Sequence, residues 1–215
     1  MVAKEWGLIE KTGTRVNEIA KPGMINIIDV SAYRQAIGME GTRDIIVALL
    51  GKRLFEERML FRKEEEAKLI KGERRESEMP LVWMFVDEAH MFIPYNEETP
   101  SSQVIRELIR FGRHYGVGLI LITPSPTDID RRIIRITNTR FIFAIEPDQL
   151  NALRGVFADA PSDLIARLPK LERGSCLLTG SWETVKHAVL IKVRPRRTTH
   201  GGATPDIIKE LDKFR

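Results

Sequence analysis

Asp87 and Glu88 are adjacent carboxylates that directly follow six apolar residues, Leu81 to Val86. An apolar run of that length reads as a strand. It is continuous rather than alternating, so both faces should be covered, as in a parallel sheet. In an open parallel sheet, ligands bind beyond the carboxyl ends of the strands. A strand-end Asp beside a Glu is the arrangement that hydrolysis of a magnesium-bound nucleotide requires. The first carboxylate holds the ion, commonly through water, because magnesium keeps much of its hydration shell. The second orients and polarises the attacking water, while positioning and charge stabilisation carry most of the chemistry. A capping aspartate beside a solvated glutamate at a strand-to-loop junction accounts for the pair, taken alone, equally well.

The elements that must hold this pair can be read along the chain. Met24 to Val30 is predicted as a short buried strand opened by Pro22-Gly23. A helix should follow, with an apolar face of Ile45, Ile46, Leu49, Leu50, Leu54 and Phe55. The charge run from Arg62 to Glu66 continues it as a solvated extension, about residues 56–78, with Glu64 and Lys68 at the favourable i,i+4 spacing. Ser101 or Ser102 is placed to cap the next helix, whose apolar face is Val104, Ile105, Leu108, Ile109 and Phe111, and Gly116 helps end it. Val117 to Thr123 is a second buried strand, broken by Pro124-Ser125-Pro126. A strand at Phe141 to Ile145, short helices near 149–157 and 162–167, and a hairpin of 175–179 with 185–193 complete the reading. Strands alternating with helices imply an α/β fold with a mostly parallel sheet flanked by helices. The core is expected over 1–193, and a basic, glycine-rich tail over 194–215 with a short terminal helix.

Composition bounds the function. The chain has 215 residues, 43% hydrophobic and 30% charged, which fits a soluble globular domain. No apolar run approaches the roughly 20 residues needed to span a bilayer, and Met1 to Glu10 has no secretory apolar region. These features place the chain in the cytoplasm with no membrane partner. The single cysteine, Cys176, excludes an internal disulfide and a cysteine-based zinc cluster. It sits in an apolar strand and reads as inert. The histidines lack metal-ligand spacing. A net charge of +4 is compatible with a nucleic-acid partner without establishing one. Trp6, Trp83 and Trp182 read as core or interface residues.

Further blocks follow Asp87-Glu88-Ala89-His90 in order: Arg106-Glu107-Leu108-Ile109-Arg110-Phe111-Gly112-Arg113-His114-Tyr115-Gly116, then Leu121-Ile122-Thr123-Pro124, Asp128-Ile129-Asp130 and Asn138-Thr139-Arg140-Phe141. With His200-Gly201-Gly202-Ala203-Thr204-Pro205 near the end, this ordered set resembles the HerA-type ATPases of the FtsK/HerA superfamily. The resemblance covers most of the chain. It implies a RecA-like core in a hexameric ring that hydrolyses ATP with magnesium and pumps double-stranded DNA, in archaea alongside a nuclease in DNA-end processing. Carried over, Asp87 is the Walker B magnesium carboxylate and Glu88 the catalytic base. Thr123 lies in the sensor strand near the γ-phosphate. Arg140 is the candidate arginine finger for a neighbouring subunit, with a surface or salt-bridged arginine as the alternative. Arg110 and Arg113 are weaker candidates that read better as a polar helix face. His90 reads as hydrogen-bonded after its strand, with a response to the γ-phosphate as the alternative. Arg194, Arg196 and Arg197 form a basic cluster for DNA or subunit contact, or a solvated linker.

Two departures stand out. Pro124 occupies the place where the family carries a glutamine after the threonine. The sequence also lacks a G-x-x-x-x-G-K-[S/T] phosphate loop, whose backbone N–H groups would cradle phosphate. Gly51-Lys52-Arg53 lacks the hydroxyl residue and falls inside a predicted helix. Gly112, Gly116 and Gly118 read as helix-end and turn glycines. The expectation is therefore a sheet without its Walker A strand, the phosphate loop lying upstream of Met1, and a chain inactive alone. Rearrangement, swapping or oligomerisation should cover the gap. A non-catalytic ATPase-like oligomerisation or DNA-binding subunit, and the core of a conjugation or secretion motor, stand as alternatives.

Overall fold

The computed structural model describes residues 13–31, 41–73, 79–153, 160–180 and 187–198. Trp6, Trp182, the segment 200–205 and the expected terminal helix lie outside the described residues. In chain order the elements are α1 (Val16–Ile19), α2 (Thr42–Ile70), β1 (Val82–Val86), α3 (Pro100–Tyr115), β2 (Val117–Leu121), α4 (Arg131–Ile136), β3 (Thr139–Ile142), α5 (Pro147–Leu153), α6 (Ser162–Ile165), β4 (Ser175–Gly180) and β5 (Val189–Lys192). Short 3-10 turns follow β1 and α6. The chain divides into two units, Met1–Asn138 with Asn151–Phe157, and Thr139–Leu150 with Ala158–Arg215.

In the first unit, β1 and β2 pair in parallel from Val82 opposite Val117 to Val86 opposite Leu121. The connection between them is α3, the crossover that a parallel pair needs. Thr99 caps α3 by accepting from the Ser102 N–H at 3.1 Å, and the Thr99 N–H donates back to Ser102 Oγ at 3.0 Å. The cap is thus Thr99 rather than Ser101 or Ser102. Both serines are buried; Ser101 Oγ bonds the Phe92 carbonyl at 2.8 Å and the Asp44 carboxylate of α2. Gly116 closes the helix at φ 74°.

Helices α2 and α3 pack on one face of the pair. The buried stripe of α2 is Val47, Ala48, Gly51, Leu54, Phe55 and Arg58. The predicted face is therefore rotated, leaving Ile45 and Leu49 more than half exposed. The shift has a steric cause. A Cβ on Gly51 would come within 3.0 Å of Val104 and 3.3 Å of Leu108, so the glycine face is what permits close approach to α3. On α3, Ile105, Leu108 and Gly112 are buried and Phe111 is half exposed. Gly112 is a helix-interior residue because a Cβ there would meet the Val117 carbonyl at 2.6 Å.

Two expectations about strands do not hold. Among the described residues, β1 is covered on one face only: Met84 and Val86 join the core, whereas Trp83 and Phe85 are 64% and 63% exposed. Trp83 is accordingly not a core residue. Its ring lies over Gly118, which is a strand residue rather than a turn residue. Met24–Val30 forms no strand, and Ile25 and Ile27 are each 90% exposed. A strand exists only through the partner that takes its backbone bonds, and no strand among the described residues lies against this segment.

In the second unit, β3, β4 and β5 form an antiparallel sheet, with Arg140 opposite Thr179 and Cys176 opposite Ile191. Among the described residues, the parallel arrangement therefore holds for β1 and β2 alone. The eight residues between β4 and β5 are too few for a crossover and suit an antiparallel return. Cys176 is fully buried, and burial pushes its thiol up, away from the reactive thiolate. Among the described residues, no helix is long and apolar enough to cross a membrane.

Candidate active site

The site forms where β1 and β2 end side by side. The ladder runs one residue past the strands: the Ile122 N–H donates to the Val86 carbonyl at 2.9 Å. Glu88 then takes left-handed backbone angles, φ 51° and ψ 43°. That conformation costs a non-glycine residue about 1–2 kcal/mol. It returns the next amide to the neighbouring strand, and the Ala89 N–H donates to the Ile122 carbonyl at 2.8 Å. The methyl of Ala89 is fully buried beneath this turn. Strain held by surrounding structure is a recurring property of functional sites.

The turn leaves the side chains of Asp87 and Glu88 exposed at the strand ends. Asp87 Oδ1 accepts from the Glu88 N–H at 3.0 Å. His90, on the first turn of the 3-10 helix Ala89–Met91, points across to the other strand end. Its Nδ1 lies 3.1 Å from Thr123 Oγ1 and 3.6 Å from Glu88 Oε2. Thr123 Oγ1 also accepts from the Ser125 N–H at 3.0 Å. The structure thus brings together Asp87, Glu88, His90 and Thr123. Pro124 is exposed beside them and offers no hydrogen-bonding side chain.

The loops flanking the site are tied to each other. The Tyr95 N–H donates to the Asp128 carbonyl at 2.8 Å, and the Asp130 N–H to the Ile93 carbonyl at 3.0 Å. Asp130 caps α4 through the Arg132 N–H at 2.9 Å and pairs with the side chains of Arg132 and Arg106. Burial acts to raise its carboxyl, but the bonds to Arg132 and the nearby guanidinium charges outweigh it and hold the group below the usual carboxylate range. At the opposite end of the strands, buried Arg58 donates to the Tyr115 carbonyl at 2.6 Å and the Met79 carbonyl at 2.7 Å. Arg58 therefore fixes the starts of β1 and β2 as Ala89 and Ile122 fix their ends.

Sequence reasoning singled out Asp87, Glu88 and Thr123, but neither the left-handed turn at Glu88 nor the Ser125 N–H on Thr123. Only the spacing of Thr123-Pro124-Ser125, a hydroxyl two residues before a free amide, hinted at the latter. Arg110 and Arg113 lie on the exposed face of α3. Arg140 is the second residue of β3, half-buried, in the second unit. Arg194, Arg196 and Arg197 are exposed in the same unit. Among the described residues, no group of three or more His, Cys, Asp or Glu side chains is arranged to hold a metal ion.

No family model matches the chain. It is 25% identical over 207 residues to the DNA double-strand break repair helicase HerA of Saccharolobus solfataricus, spanning 96% of this chain and 38% of that protein. With the protein of the same name from Pyrococcus furiosus it is 26% identical over 200 residues, 85% of this chain and 35% of that one. The chain thus spans little more than a third of these relatives' length. In fold it is similar to the DNA-packaging ATPase of Sulfolobus Turreted Icosahedral Virus, with a TM-score of 0.50 and 15% identity over 90% of this chain and 87% of that chain. The chain is thus similar to DNA double-strand break repair helicases named HerA over 85–96% of its own length.

Proposed function

We propose that this chain supplies the Walker B and sensor half of an ATP-driven motor acting on double-stranded DNA. The observation that carries the reading is the meeting of Asp87, Glu88 and Thr123 at the ends of two adjacent parallel strands. Asp87 suits a magnesium ion that arrives with the nucleotide: it is one exposed carboxylate, and magnesium is commonly held by one or two carboxylates, waters and substrate phosphates. When bound, the ion neutralises phosphate charge. Glu88 positions the attacking water and takes its proton. Thr123 addresses the γ-phosphate.

A ring of such chains, hexameric in this reading, places Arg140 as the finger for a neighbouring subunit's phosphates. Arg194, Arg196 and Arg197 contact DNA phosphate or an adjacent subunit. A nuclease partner fits the same reading. The phosphate cradle comes from a segment outside this sequence. Exposed Pro124, at the place of a phosphate-sensing glutamine, favours a second reading in which the chain is a non-catalytic subunit of similar fold.

Calorimetric titration of Mg-ATP into the chain carrying Glu88→Gln should give no saturable heat. Saturable binding would mean that some segment of this chain cradles phosphate. Fusion behind a segment bearing G-x-x-x-x-G-K-[S/T] should then restore DNA-stimulated turnover, lost again with Asp87→Asn or Glu88→Gln. A folded, nucleotide-bound but silent fusion would sink the motor in favour of the non-catalytic subunit. Turnover indifferent to DNA would point to a secretion-type motor.

A further inference from the structure

We infer that His90 is a positioning residue whose Nδ1-bound proton makes Thr123 a hydrogen-bond donor toward the nucleotide. The inference rests on the ATPase reading above and adds a residue to it. A threonine hydroxyl has one proton and two acceptor lone pairs. Facing a phosphate oxygen it is useful only as a donor, because an oxygen lone pair turned toward an anion repels it. What surrounds Thr123 Oγ1 therefore decides whether it can serve.

Two groups converge on that oxygen. The Ser125 N–H donates to it at 3.0 Å and takes one lone pair. His90 Nδ1 lies at 3.1 Å, and either atom of that contact can be the donor. The third group settles the direction. Glu88 Oε2 lies 3.6 Å from the same Nδ1. A bare ring nitrogen would turn its lone pair toward both a carboxylate and a hydroxyl oxygen. A protonated Nδ1 is instead attracted to both. With the proton on Nδ1, both acceptor positions of Thr123 are taken, and its own proton must point away from His90 and Ser125. At 3.6 Å the same N–H makes no hydrogen bond to Glu88, but the positive end of its dipole draws the carboxylate toward the sensor hydroxyl. One ring thus orients two groups of the site, from a half-buried position, with 22% side-chain exposure, on a turn pinned by the Ala89–Ile122 bond.

The arrangement differs from a histidine that merely fills space. A filler is indifferent to which nitrogen carries the proton, whereas here the tautomer is the device. An asparagine at 90 can place an amide N–H near the Nδ1 position; a phenylalanine fills the volume without donating.

The test is made on the nucleotide-free 215-residue chain, so it stands apart from whether turnover can be restored. Nitrogen-15 NMR of labelled histidine at alkaline pH reads the tautomer. The proton is expected on Nδ1 of His90, and a proton on Nε2 with Nδ1 bare overturns the inference. The Glu88 carboxylate carbon shift, read with ¹³C-labelled glutamate, should move in His90→Phe and stay near its original position in His90→Asn. An unmoved Glu88 resonance in folded His90→Phe also overturns it. If the phenylalanine variant does not fold, the tautomer in the unaltered chain decides alone.

Discussion

The Ala89 N–H meets the Ile122 carbonyl at 2.8 Å because the residue before it, Glu88, is left-handed. A carboxylate is kept at a backbone position where glycine would be comfortable, which fits selection for its chemistry rather than for stability. Glu88→Gly should stabilise the chain by about 1 kcal/mol in urea unfolding, the strain that a non-glycine residue bears in this region. Glu88→Gln should leave stability unchanged while removing turnover from the completed enzyme. Destabilisation by Glu88→Gly would show that side-chain contacts of Glu88 outweigh the backbone strain.

Arg58 holds the other ends of the same strands. It is 3% exposed, and burial pulls its pKa down, yet two carbonyls take its donors and the α3 C-terminus favours a cation there. Arg58→Met keeps much of the volume but orphans the Tyr115 and Met79 carbonyls. The expected loss is about 2–4 kcal/mol, the order for breaking buried charge-assisted bonds. Arg58→Lys should recover little, since an ammonium lacks the planar fork that reaches two carbonyls at once. Chemical denaturation of the three proteins checks both statements. Full recovery by lysine would reduce Arg58 to a generic positive charge.

How much of this was legible in the sequence depends on where each signal is local. The Asp87-Glu88 pair after an apolar run and the Gly116 stop are local features and appear where expected. The adjacency of Thr123 to Glu88 was legible only through the order of motifs. What escaped was set by three-dimensional approach. Periodicity could not choose which apolar stripe of α2 faces inward, because Ile45 and Leu49 are at least as hydrophobic as Val47 and Ala48, and it is the close approach at Gly51 that selects the buried stripe. Met24–Val30 carries every mark of a strand except the partner, and no local pattern reports a partner. Arg58 lies in a charged stretch that reads as solvated, and only the two carbonyls around it make it a buried residue.

Trp83 and Gly118 form a contact that can be read optically. A Cβ at Gly118 would come within 2.5 Å of the Trp83 ring. The ring is 64% exposed and can swing outward, so Gly118→Ala should cost only about 1 kcal/mol or less, as for other surface adjustments. Its fluorescence, in a background with Trp6 and Trp182 replaced by phenylalanine, should shift to the red as the ring gains water. An unshifted spectrum would mean that the strands part instead, and the stability loss should then be larger.

Asp130 makes stability depend on pH. Its folded pKa is depressed against an unfolded value near 4. A depressed carboxyl contributes stability that is fully present above the unfolded pKa and is lost as pH falls through the folded one. The contribution comes from a side chain 10% exposed, bonded to Arg132 and 3.3 Å from an Arg106 nitrogen. Asp130→Asn should therefore be less stable than the unaltered chain at pH 7 and at pH 5, with the difference shrinking below about pH 4 as the wild-type carboxyl protonates. Urea unfolding at pH 7, 5 and 3 reads this directly. A difference that stays constant down to pH 3 would assign the loss to the α4 cap geometry alone and leave the guanidinium charges without a part in it.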